Sequence, residues 1–139
     1  MKVRVALLDE NGKLPPEAFP SSVGGGGLQD VAFQFGGTLT VQSGAFYWLT
    51  PPAAIRIKRL SITLGILGDA GGAVTAALLV NGSAIGSVTS NGARTASVSS
   101  FTPAEIPAGQ ILSVDITAVP SSGATRPGNA VVQVLWEYV

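Results

Sequence analysis

The chain has 139 residues, 46% of them hydrophobic and only 12% charged; its eight basic and eight acidic side chains cancel, and it has no cysteine and no histidine. That length bounds it to about one domain, and a zero net charge excludes the clustered Lys and Arg of a duplex- or RNA-binding surface. Without cysteine there is no disulfide, thiolate catalysis or Cys-based zinc site, so the redox compartment is left open.

An ordinary soluble domain carries about 25% charged residues. Solubility here rests on Ser, Thr, Asn, Gln and Gly, and a monomer so poorly charged is prone to self-association. The expectation is a protein that associates by design or is fixed within a larger assembly. The opening Met1 to Gly12 is too quickly interrupted, at Asp9 and Glu10, to hold a signal-peptide core. No apolar run approaches the roughly 18 residues of a membrane span, because Arg56, Lys58 and Arg59 interrupt Ala53 to Leu67. A protein of this kind that ends up outside a cell leaves as part of something else.

In chain order, residues 1–27 read as an extended arm. Lys2 to Leu8 alternates in part, like a short strand. A turn follows at Asn11-Gly12, then a proline-stiffened stretch from Leu14 to Pro20, then four glycines from Gly24 to Gly27. Residues 28–139 read as one β domain. Period-two signals place strands at Thr38 to Gln42 and Ala45 to Leu49, broken at Ser43-Gly44 and stopped at Pro51-Pro52. The longest run, Ile55 to Ile66, puts Ile55 and Ile57 on one parity and Leu60, Ile62, Leu64 and Ile66 on the other. One extra residue near Lys58-Arg59 shifts the phase, as a β-bulge does.

Gly68 to Gly72 is a loop before a strand at Val74 to Val80. Asn81-Gly82 then marks a hairpin into Ser83 to Ser90, and Asn91-Gly92 repeats the device. Ala93 to Phe101 is a polar strand candidate and Thr102 to Gln110 a proline-bearing crossing loop. Ile111 to Val119 alternates again, Pro120 to Asn129 is the longest turn region, and Ala130 to Val139 closes the chain. About eight short, evenly spaced strands with no helical window predict an all-β, antiparallel β-sandwich with a jelly-roll-like path and an extended N-terminal arm. In the last strand Val132, Val134, Trp136 and Tyr138 form the core-facing set. Val131, Leu135 and Val139 alternate with Gln133 and Glu137 on the other face, and that mixed face fits partial cover by a neighbouring subunit.

Enzymatic chemistry finds little to work with. The absence of histidine removes the commonest general base and the Ser-His-Asp arrangement. Asp9, Glu10 and Glu17 lie in the arm, while Asp30, Asp69, Glu105, Asp115 and Glu137 are scattered singly; only folding could pair Asp69 with Glu105 as a glycosidase would require. Gly24 to Gly27 lacks the Lys-Ser/Thr of a phosphate loop and reads as a hinge. Asp69 alone is too few oxygens for calcium. No catalytic, cofactor or metal residue is predicted, and Arg56, Lys58 and Arg59 read as a solvated strand face. Of the aromatics, which stack on sugars as well as in cores, Phe46, Trp48, Trp136 and Tyr138 are assigned to packing. Tyr47, on the opposite parity, is kept as the candidate ligand contact.

Residues 7–22, with an Asn-Gly turn, a Leu-Pro pair and a second apolar-Pro pair, resemble the connector of many tailed-bacteriophage structural proteins. From Leu39 to Val139, the strand-rich stretch 40–65, the Asn-Gly hairpin in 78–87 and the Pro-Ala-Gly loop in 106–116 resemble the small jelly-roll modules of phage tail fibres, head fibres and capsid decoration proteins. The resemblance covers nearly the whole chain. It implies a homotrimeric, non-enzymatic virion protein at the particle surface, made in the bacterial host cytoplasm, with no cofactor and with phage capsid or tail proteins as partners. It further implies that the arm docks in a groove on the particle through Val3, Val5, Leu7, Leu14, Pro15, Pro16, Phe19 and Pro20. In such docking the arm's backbone adds to an exposed strand edge, and its prolines lessen the ordering penalty.

Two functions follow as expectations. One is capsid decoration or head-surface reinforcement, favoured by the absence of a long shaft ahead of the head. The other is a receptor-binding module on a tail fibre that recognises a host glycan, favoured by the polar loops, Ser121 to Asn129 above all.

Overall fold

The structure, a computed structural model, describes residues 27–68, 73–120 and 125–139. They form nine strands and no helix: β1 (Gln29–Thr38), β2 (Gln42–Leu49), β3 (Ile55–Ile66), β4 (Thr75–Val80), β5 (Ser83–Thr89), β6 (Thr95–Val98), β7 (Glu105–Ile106), β8 (Ile111–Ala118) and β9 (Gly128–Tyr138). One sheet has the order β1-β9-β3-β6, with β7 also on β3; the other has the order β2-β8-β4-β5, and every pairing is antiparallel. Leaving aside the two-residue β7, eight strands in this order make the double Greek key of a jelly roll. The all-β sandwich expected from the sequence is therefore present.

The core lies between the sheets and follows from strand parity. β3 shows how. Ile55 and Ile57 point inward, Lys58 is the extra residue between the Ile57–Trp136 and Arg59–Leu135 pairs, and beyond it Leu60, Ile62 and Leu64 again point inward. Without the bulge, the second set would face water. Beside them on β9 are Val132, Val134 and Trp136, and facing them from the other sheet are Leu78, Leu112, Val114 and Ile116, all buried. Ile66 keeps the inward parity but lies exposed at the strand's end.

Aromatic pairs close one side of the sandwich. Phe46 of β2 sits edge-on to Phe35 at 5.0 Å and tilted to Phe33 at 6.2 Å, and Trp48 meets Trp136 at 5.5 Å. Trp48 and Trp136 thus pack between the sheets as their parity indicates, while Phe46, in contact with Phe33 and Phe35 on the same side, stays 38% exposed. Tyr138, T-shaped on Trp136 at 5.2 Å, continues the stack outward.

Several boundaries differ from the sequence reading. The stretch Gln29 to Thr38, with Val31, Phe33 and Phe35 in alternation, is a strand that reading passed over. Thr38 to Gln42, expected as a strand, is mostly a connection: Leu39 is buried and donates its N–H to Pro127 O (3.0 Å) instead of to a ladder. Ser43-Gly44, expected as a break, lies within β2, where the register shifts between Gln42 and Phe46. The Asn81-Gly82 hairpin is present, with φ of 48° and 85° at its two residues, values that fit a type I′ turn. Asn91-Gly92 makes the same left-handed turn, yet it carries the chain from β5 in one sheet to β6 in the other. The polar strand shrinks to Thr95–Val98, and the expected loop 102–110 contains β7.

Leu60, fully buried in β3 between β6 and β9, tests this packing. Leu60→Ala is expected to lower unfolding free energy by about 2–5 kcal/mol. Thr63→Ala, exposed on the same strand, is expected to change it by under about 0.5 kcal/mol. Urea denaturation of the two variants checks both values.

Candidate functional site

The two outer sheet faces differ in kind. That of the β1-β9-β3-β6 sheet carries Asp30, Arg56, Lys58, Glu105 and Glu137, joined within the chain. Arg56 bonds Glu105 at 2.7 Å and reaches Glu137 at 3.5 Å, Lys58 reaches Glu137 at 3.6 Å, and Gln133 donates to Asp30 at 2.8 Å. The hydrogen bond and attraction of Glu105 push the Arg56 guanidinium above its ordinary pKa, and Glu137 adds to the shift. This is the solvated, mutually neutralised face expected for the basic cluster. On the mixed face of β9, Gln133 and Glu137 take part in these pairs, while Val131 and Leu135 are half-buried among them.

The outer face of the β2-β8-β4-β5 sheet holds one charged residue among those described, Asp115, and it contains a groove of about 570 Å³. Cross-strand register explains the groove. Tyr47 of β2 and Leu79 of β4 both pair with Ser113 of β8, so a small side chain lies between two large ones in one row. In the row toward the hairpin, Ile111 stands beside Asn81, whose side chain accepts the Ile111 N–H (3.1 Å) and donates to Gln110 Oε1. On the other side of Ser113 lies Asp115, and its Oδ1 accepts the Gly44 N–H at 2.8 Å.

Gly44 is where local sequence sets the wall of the groove. Its φ is 61°, in the left-handed region. A β-carbon there would lie 2.5 Å from the Tyr47 hydroxyl, so the Tyr47 ring leans back over bare backbone. The bulge turns the Gly44 N–H toward Asp115 and leaves Tyr47 68% exposed. Tyr47 is therefore on the outer face, as its parity predicts, and it lines the groove.

The sequence does not single out Ser113, and it presents Asp115 only as one of the scattered carboxylates. Three polar residues are buried among those described: Thr50, Ser90 and Ser113. Thr50 Oγ1 accepts the Gln110 N–H at 2.8 Å and Ser90 Oγ accepts the Val74 N–H at 3.0 Å. Ser113, 5% exposed, makes no side-chain hydrogen bond to any described residue, and it lines the groove floor. The available signal was the alternation of Ile111, Ser113, Asp115 and Thr117 opposite the core-facing Leu112, Val114 and Ile116.

The docking residues expected in the arm, Val3, Val5, Leu7, Leu14, Pro15, Pro16, Phe19 and Pro20, lie outside the described residues, as does Asp69. Glu105, in β7, stands beside Arg56 at the start of β3. No group of three or more metal-ligating side chains occurs among the described residues. No protein-family model matches the chain, and no curated protein matches it. Strand order thus defines the class, an antiparallel jelly-roll sandwich, and the groove on its sparsely charged face is the candidate site.

Gly44→Ala is expected to lower stability by about 1–2 kcal/mol, the penalty for a β-carbon in the left-handed region. Ser43→Ala, the exposed neighbour, should stay within about 0.5 kcal/mol of the parent. Urea midpoints compared at equal slope give both numbers.

Proposed function

We propose that this chain is a non-enzymatic structural protein of a tailed-phage virion: a trimeric capsid decoration or head-surface protein docked by its N-terminal arm. The observation that carries the reading is the strand order β1-β9-β3-β6 over β2-β8-β4-β5, a jelly roll of the kind that builds viral capsid and lectin domains. Fold alone does not assign function. Support comes also from the connector resemblance of residues 7–22 and from a charge content too low to keep a free monomer comfortably dispersed. The four described carboxylates are each held by a neighbour: Asp30 by Gln133, Glu105 and Glu137 by Arg56, and Asp115 by the Gly44 amide. That arrangement fits a framework better than a pair of carboxylates poised across a substrate.

A second reading, the receptor-binding module, is favoured by one observation: the Tyr47 groove on the sparsely charged sheet face.

Deleting Met1 to Ser22 is expected to leave a folded, trimeric head that no longer binds phage particles. Co-sedimentation of the truncated and full chains with particles lacking this protein measures the loss, and analytical ultracentrifugation measures the trimer. Undiminished binding by the truncated head would refute docking through the arm. A full chain that is monomeric at micromolar concentration would refute the trimer.

A further inference from the structure

We infer that the groove between Tyr47 and Leu79 is a binding site for a neutral saccharide, seated with its apolar ring face on Tyr47 and its hydroxyls on Ser113 and Asp115. The inference rests on the receptor-recognition reading and gives it a site and a ligand class. Three independent observations carry it.

The first is an open hydroxyl on the groove floor. Ser113 lines the groove and its hydroxyl bonds no described residue, in contrast to the buried hydroxyls of Thr50 and Ser90. The buried side-chain atom left without a partner among the described residues is Trp136 Nε1, so the Ser113 hydroxyl is open to solvent from the groove, and a ligand oxygen placed over the floor takes the place of that solvent. The second is acceptor geometry. Asp115 has one oxygen fixed by the Gly44 N–H at 2.8 Å, which holds the carboxylate in place, and its Oδ2 has no partner among the described residues. A carboxylate oriented in this way accepts a ligand hydroxyl with little ordering penalty, and such charge-assisted bonds are the stronger kind. The third is the alternation of surfaces. Tyr47, Leu79 and Ile111 are apolar, and they surround the Ser113 hydroxyl and the Asp115 carboxylate. A pyranose has the matching surface, a C–H face beside an edge of hydroxyls.

Charge narrows the class. Among the described residues no Lys or Arg lines the groove, and the one charge there, Asp115, is negative. A sialic acid, a uronate or a phosphorylated sugar would set an anion against Asp115 with nothing to pair it, so a neutral ring is the occupant. A groove of about 570 Å³ accommodates a mono- or disaccharide end group. Contact is with one exposed face of the sheet, and the expected affinity is correspondingly weak for a single head.

The test uses the full chain. A printed array of neutral and sialylated glycans identifies binders, and amide NMR titration with lactose, maltose, N,N′-diacetylchitobiose and 3′-sialyllactose maps them. The expected result is saturable shifts confined to residues 43–47, 79–82 and 111–115 with at least one neutral sugar. Tyr47→Ala should weaken that binding by about tenfold, the value of a good aromatic contact. Ser113→Ala should weaken it measurably, and Thr63→Ala on the opposite sheet should have no effect. Tyr47 is largely exposed, so its truncation leaves the fold intact, and the unliganded amide spectrum verifies this. Saccharide binding that shifts other residues and ignores Tyr47→Ala would overturn the groove while leaving the recognition reading in place. Preference for sialylated over neutral glycans would overturn the ligand class. No binding by array or titration would overturn both the groove and the recognition reading.

Discussion

The sandwich depends on β3 holding two out-of-phase apolar sets on the same side of its sheet. A regular strand cannot do this, because its side chains alternate strictly. The extra residue at Lys58 resolves the conflict, so that Ile55 and Ile57 reach the core beside Trp136 while Leu60, Ile62 and Leu64 reach it beside Val134 and Val132. The two residues at the bulge are the cations Lys58 and Arg59, both exposed. The break in phase is therefore placed where the sequence can present charge to water, and the Lys58 ion pair with Glu137 follows from it.

The same parity rule separates the chain's few charges. With β3 and β9 presenting Arg56, Lys58, Arg59 and Glu137 outward, one sheet face is polar and internally neutralised. β8 sends Ile111, Ser113, Asp115 and Thr117 outward and gives the other sheet a nearly uncharged surface. Among the described strands, charge is thus concentrated on one outer sheet face. What remains on the second face is a set of apolar and hydroxyl groups, shaped by Gly44 and Tyr47 into a depression over Ser113.

Much of this was legible in the sequence, and the misses have physical causes. Alternation located β3, β8 and β9 closely because each has one face in the core, and Asn81-Gly82 located β4 and β5 by marking their hairpin through the left-handed backbone that Asn and Gly tolerate. β1 was passed over because its glycine-containing end, Gly36-Gly37, masks the alternation of Val31, Phe33 and Phe35. Gly44 was read as a break because local sequence does not distinguish a glycine that ends a strand from one that bulges it; the difference is made by Asp115, 71 residues away. Asn91-Gly92 has the same ambiguity, since turn chemistry fixes the turn and not which sheet the next strand joins. Tyr47 was legible as outward-facing. Its partnership with Ser113 was not, because that depends on the β2–β8 register.

The placement of chain entry and groove bears on how the two functional readings relate. The described chain begins at Gly27 and enters β1, an edge strand of the charged sheet, whereas the groove lies on the outer face of the other sheet. Packed sheets are about 10 Å apart, and their outer faces look in opposite directions. A head tethered through residues that precede β1 need not cover β8, β4 or Tyr47. On the two proposed readings, attachment would use residues that precede β1 and ligand contact would use Tyr47, so neither reading requires the other's surface. Weak single-head affinity also fits this arrangement. Copies held on a common scaffold convert each later contact into an intramolecular one, and avidity rises without any added contact in the groove.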